Sequence, residues 1–132
     1  MASELRVNTL KDAAGNNSIA TSFVAGGSAK AWVRITGTGS PYASAKSFNT
    51  SSVTDNGNGD VTQSLTSAMS DALSNVHASG VKDATTGTAI CGPFTITTTT
   101  NRATQGYINS TGGALTLYDY PGFAISQFGD LA

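Results

Sequence analysis

Ser47-Phe48-Asn49-Thr50-Ser51-Ser52-Val53-Thr54-Asp55-Asn56-Gly57-Asn58-Gly59-Asp60-Val61-Thr62-Gln63-Ser64-Leu65-Thr66 is the stretch whose reading decides the fold. Asn and Gly tolerate the positive φ values of tight hairpins, so Asp55 to Asp60 predicts a turn joining two antiparallel strands, Ser47 to Thr54 and Val61 to Thr66. The flanking Thr and Ser residues favour strands and carry almost no charge, so these strands offer surface rather than chemistry. Gly57 and Gly59 are expected to be indispensable to the turn. Asp55 and Asp60 read as exposed turn charges of little energetic weight. Their oxygens do not make a calcium loop: the third position would be Gly57, and no Glu stands at the twelfth.

Outward from the hairpin, the same signals repeat. Ala31 to Ile35 reads as a strand closed by Gly37-Thr38-Gly39, and Leu73 to Ser79 as another, with Ser67 to Ala72 a loop or a single helical turn. Thr88 to Thr100 reads as one long strand ending in four threonines. Thr104 to Ile108, Ala114 to Asp119 and Phe123 to Phe128 follow, punctuated by Gly112-Gly113 and Pro121-Gly122. About eight short strands with frequent turns predict an all-β antiparallel domain over residues 30–132, a compact β-sandwich, a jelly roll or a barrel.

Residues 1–29 differ in kind. Leu5, Val7 and Leu10 are scattered among polar residues, and Ala13 to Asn17 and Gly26-Gly27-Ser28 interrupt any regular element. Glu4 to Thr9 alternates apolar and polar, a pattern suited to a strand laid on a neighbour. This predicts an extended N-terminal arm and linker.

With 132 residues, the chain suits one domain. Charged residues are 11% of it, against a usual share of about a quarter. Seven Lys and Arg balance eight Asp and Glu, so no basic cluster points to nucleic acid or to anionic membrane. No apolar run is long enough to insert in a bilayer, and the polar start lacks a signal peptide's apolar stretch, so synthesis in the cytoplasm is expected. The strands hold so much Thr, Ser and Ala that packing between subunits is expected to supplement the core and cover sheet edges.

Several segments together resemble a known family. Ser3-Glu4-Leu5-Arg6-Val7-Asn8-Thr9-Leu10, Gly15 to Ile19, Lys30-Ala31-Trp32-Val33, Gly37-Thr38-Gly39, Ser47 to Gly57, Ser67 to Ala72 and Phe128-Gly129-Asp130-Leu131-Ala132 are similar to the tail-fibre-like proteins of marine bacteriophages. The resemblance covers the first half and the last residues; Ser79 to Ala124 matches no fixed pattern. It implies a virion structural protein at the virion surface, on tail or capsid, usually a homotrimer. Ser3 to Leu10 would dock on another virion protein and Ala31 to Thr66 would form the framework. Host-surface glycan attachment is the implied role; a capsid head fibre, a decoration protein and a free carbohydrate-binding module are the alternatives.

Enzymatic chemistry has little support. His77 is the sole histidine and Cys91 the sole cysteine, too few for a nucleophilic constellation or a zinc site; Cys91 reads as a small buried hydrophobe. No metal and no cofactor are expected, since Gly37-Thr38-Gly39 and Gly26 to Lys30 lack the spacings that cradle phosphates. Tyr107, Tyr118, Tyr120 and Phe123, with Asn101, Gln105, Asn109 and Asp119, form the one suggestive set. Aromatic faces can stack on sugar rings while amides and carboxylates bond the hydroxyls, which makes Tyr107, Tyr118, Tyr120, Asn109 and Asp119 candidate glycan-binding residues. The reading favoured over this is that the same aromatics fill the core or a subunit interface, the two environments that large aromatics dominate. Asp119 and Asp130 could make a glycosidase pair only on paper.

Overall fold

A computed structural model describes residues 7–15, 18–37, 42–81, 88–108 and 113–132. Among them the chain is an all-β domain of several antiparallel sheets with one short helix. In chain order the elements are β1 (Thr9–Lys11), β2 (Ser18–Ala20), α1 (Thr21–Gly27), β3 (Ala31–Thr36), β4 (Ala43–Phe48) and β5 (Thr50–Gly57). They continue with β6 (Asp60–Leu65), β7 (Asn75–Val81), β8 (Thr88–Ile96), β9 (Thr100–Ile108), β10 (Thr116–Leu117) and β11 (Gly122–Phe128).

β1 and β2 make a small hairpin of their own. A four-stranded sheet runs β4-β3-β11-β7. In the second large sheet β5 pairs with β6 and β6 with β9, while β8 covers the opposite edge of β9. β10 is too short to be a strand alone; it takes over from β6 along the same edge of β9, pairing with Gly106 and Tyr107 beyond the point where β6 ends.

The two large sheets share one core because their strands alternate. Ala31, Val33 and Ile35 of β3 are buried while Trp32, Arg34 and Thr36 are exposed. Val33, Ile35, Val76, Phe123 and Ile125 from one sheet meet Val61 and Ala103 from the other. Each large apolar side chain buried there contributes roughly 1.5–3 kcal/mol. Thr and Ser fall on the outward positions, so a chain poor in large apolar residues still concentrates them.

Amides take the inward positions toward the ends of this core. Asn101 Nδ2 donates to Gln127 Oε1 at 2.7 Å and to Gln63 Oε1 at 3.2 Å. Gln63 Nε2 reaches Thr50 Oγ1 at 2.7 Å, and Gln127 Nε2 reaches Ser74 Oγ at 2.5 Å. The chain of bonds runs from β5 to β11 and so ties the sheets together. Losing one member would orphan buried partners, which costs more than the bond itself contributes.

Several sequence expectations are corrected. The strand expected over Ser47 to Thr54 is two strands in two sheets, broken at Asn49, whose φ is 51°. Asn49 holds this corner through its side chain: Nδ2 donates to Ser67 O at 3.1 Å, and Ser67 N–H donates to Oδ1 at 2.7 Å. Thr88 to Thr100 is likewise not one strand. Thr97 Oγ1 accepts from the N–H groups of Thr99 and Thr100, making a side-chain-stabilised turn that reverses β8 into β9. The strand near Leu73 starts at Asn75, leaving Leu73 91% exposed. Gly26 and Gly27 do not interrupt structure; α1 runs through both. Ser67 to Ala72 forms a loop, not a helical turn, and buries Met69 beside Ala31 and Leu65.

Candidate functional site

The predicted aromatic set does assemble, because β10 delivers the segment from Tyr118 to Tyr120 alongside the end of β9 that carries Tyr107. Tyr107 and Tyr118 meet edge to face with centroids 5.9 Å apart, and Tyr118 and Tyr120 likewise at 5.2 Å. The three are not equivalent. Tyr120 is fully buried, so it cannot stack on a sugar and belongs to the packing alternative. Tyr107 and Tyr118 are half-buried and keep part of their surface in solvent. Phe123, Asn101 and Gln105 are buried, and Asn109 lies outside the described residues.

Asp119 has a structural assignment that its sequence context does not suggest. Its Oδ1 accepts from the Tyr42 hydroxyl at 2.5 Å and from the Gly59 N–H at 2.5 Å. Burial pushes the Tyr42 phenol well above its ordinary range, and the Asp119 bond adds to this while Gln105 opposes it. Gln105 Nε2 donates to the Tyr42 hydroxyl at 3.0 Å, and the Gln105 N–H donates to Gly59 O at 2.7 Å. The tip of the β5–β6 hairpin is thus fastened onto β9 and the Tyr118 segment. An added Cβ at Gly59 would lie 2.1 Å from Gln105 O and 2.7 Å from Tyr118 N, with φ at +62°.

The hairpin carboxylates are not the weak surface charges expected from sequence. Asp60 is only 8% exposed and takes a two-pronged contact from Arg102, Nε to Oδ1 at 2.9 Å and Nη2 to Oδ2 at 2.5 Å. Those bonds hold its carboxyl below the usual range against the opposing effect of burial, with Asn56 assisting. Asn56 Nδ2 also reaches Thr62 Oγ1 at 2.8 Å, and the Arg102 guanidinium lies 5.0 Å from the Phe94 ring centroid. Asp55 Oδ1 accepts from the Gly57 N–H at 2.9 Å and braces the turn. Both carboxylates serve the fold.

His77 is exposed mid-strand in β7. Cys91 is half-buried in β8 against the core, and burial raises its thiol pKa, which makes it a poor nucleophile. Among the described residues no group of three or more His, Cys, Asp or Glu side chains could hold a metal ion.

Of the expected docking segment, Ser3, Glu4, Leu5 and Arg6 lie outside the described residues. Val7 and Asn8 lead into β1, which holds Thr9 and Leu10. Thr21 Oγ1 bonds Val7 O at 3.1 Å and the Thr21 N–H bonds Asn8 O at 3.0 Å, folding α1 back on the strand lead-in. No described residue from Val7 to Ala29 is buried, and Phe23 is 73% exposed. A seven-residue helix without a side-chain cap is marginal alone.

Sequence reasoning passed over the outward face of β4-β3-β11-β7. Trp32 opposite Phe48 and Arg34 opposite Lys46 stand there in adjacent rows. The signal was present in the alternation of Ala31 to Ile35, which places Trp32 and Arg34 on the side away from Val33. No family model, curated protein or solved structure matches the chain.

Proposed function

We propose that the chain is a tail-fibre-like structural protein of a phage virion, anchored through its N-terminal segment and displaying a β domain toward the host surface. The virion attribution rests on the resemblance of Ser3 to Leu10, Ser47 to Gly57 and the Phe128 to Ala132 ending. The observation that carries the anchoring role is the lack of burial among the described residues from Val7 to Ala29. Leu10, Ile19, Phe23 and Val24 present apolar surface that nothing in the described fold covers, and small elements of this kind gain stability when a partner buries them.

In this reading the two large sheets pack as a β-sandwich of jelly-roll type, and three copies associate about the fibre axis. Tyr107 and Tyr118 are the aromatic members of the predicted glycan set that retain exposed surface. A capsid head fibre or decoration protein would use the same anchor.

Replacing Phe23 and Val24 by Asp in the full chain tests the anchor. The β domain should melt unchanged while incorporation into particles is lost. Normal incorporation of that variant would sink the assignment. Light scattering of the native chain reads the trimer, and a monomer both alone and in the presence of the particle would refute it.

A further inference from the structure

The outward face of the four-stranded sheet holds two rows side by side. Phe48 faces Trp32 across β4 and β3, and Lys46 faces Arg34 one pleat further along. Trp32 is 37% exposed and Phe48 53%. Same-face positions lie about 7 Å apart along a strand, so the aromatic row and Lys46 adjoin on the scale of a monosaccharide.

Two like charges set directly opposite each other destabilise a sheet unless something answers them. Within these strands nothing does, since none of the outward residues of β3, β4, β7 and β11 is acidic. The Arg34 guanidinium instead lies over Gly122, beside Val81. Arg102 on the other sheet is paired with Asp60, so among the described residues one outward arginine is neutralised and the other is left available. Complementarity therefore selects an anion. A second copy meeting this face across a two-fold axis would set cations against cations, which argues against self-association there.

We propose that this face binds a carboxylate-bearing sugar of an acidic polysaccharide, with Trp32 and Phe48 stacking on the ring, Lys46 pairing with the carboxylate, and the Arg34 side chain swinging back from Gly122 to join it. The aromatic row favours a sugar over an acidic peptide, because ring faces stack flat on Trp and Phe while a Glu side chain offers only its charge. The inference deepens the host-glycan reading above and rests on it.

Trp32 is the only tryptophan, so fluorescence excited at wavelengths that tryptophan alone absorbs reports on this face. The probes are oligogalacturonate and oligosialic acid, methyl-esterified oligogalacturonate as the uncharged control, and polyglutamate as the acidic peptide. We expect a saturable fluorescence change with either acidic sugar, weakening as salt rises. The ester should bind at least about tenfold more weakly, and Arg34→Ala with Lys46→Ala should lose about tenfold without lowering the melting temperature. Phe48→Ala should weaken sugar binding and leave any polyglutamate binding unchanged. Equal binding of ester and acid would overturn the anionic site while sparing the glycan reading. Polyglutamate binding as tight as the acidic sugars would assign the face to a peptide and overturn the proposal. Silence toward every sugar would overturn this proposal and leave the glycan reading at Tyr107 and Tyr118 standing.

Discussion

The outward faces of the two large sheets each carry an arginine and have opposite states of completion. On the five-stranded sheet Arg102 is bound to Asp60, Asp60 to Asn56, and Asn56 to Thr62, so each polar head already has its partner. On the four-stranded sheet Arg34 and Lys46 stand opposite each other beside Trp32 and Phe48. The first arrangement fixes strand register and hairpin position, which stabilises the fold. The second sets two cations side by side and leaves aromatic area exposed, which is the ground of the acidic-sugar proposal. Exposed charge in this protein thus has to be judged by whether its partner lies within the chain.

The largest expected difference between the two regions comes from glycine. Gly59→Ala should cost about 3 kcal/mol or more, because the backbone atoms of Gln105 and Tyr118 cannot retreat and φ is left-handed. Gly122→Ala meets the end of the Arg34 side chain at 2.6 Å, which can swing away, so about 1 kcal/mol or less is expected. Denaturant melts of the two variants settle this, and equal costs would break the contrast.

Asn101→Ala should rank next at about 2–3 kcal/mol, since it strands Gln63 and Gln127 inside the core. Gln63→Ala and Asn101→Ala should be strongly non-additive in a double-mutant cycle. Additive losses would mean that the amides do not act as one network.

A smaller effect, about 1 kcal/mol, is expected for Asp60→Asn at neutral pH, because Arg102 is partly solvated. Its pH dependence sharpens the comparison. The folded-state pKa of Asp60 is depressed, so its contribution is present above the unfolded value near 4 and is lost as pH falls through the folded value. The stability curves of native protein and Asp60→Asn should therefore converge in acid. Tyr42 has the opposite sign: its pKa is raised, so its contribution is full below about 10 and fades as pH rises beyond that. Tyr42→Phe should flatten the alkaline limb of the native melting profile, and an unchanged limb would count against the burial of the Tyr42 phenol and, after it, the Asp119 bond.

The smallest expected stability change belongs to Arg34→Ala, within about 0.5 kcal/mol of zero. A loss of 2 kcal/mol would show that Arg34 serves the fold as Arg102 does and would erase the distinction between the faces.

The sequence by itself determined the β class, a hairpin turn within Asp55 to Asp60 that the structure narrows to Asn58-Gly59, and the inward alternation of Ala31 to Ile35, because turn chemistry and a period of two are local properties. It also placed Tyr107 and Tyr118 in one candidate set. Tertiary structure alone decided that Asn49 turns the chain from one sheet into the other, that Asp60 meets Arg102, that Tyr120 is buried, and that Asp119 is bonded to Tyr42 and Gly59. These contacts join residues 18 to 77 positions apart. No local preference encodes them: a polar residue such as Asp60 or Gln63 looks solvent-facing in sequence, and only the partner brought across the sheet makes its burial affordable.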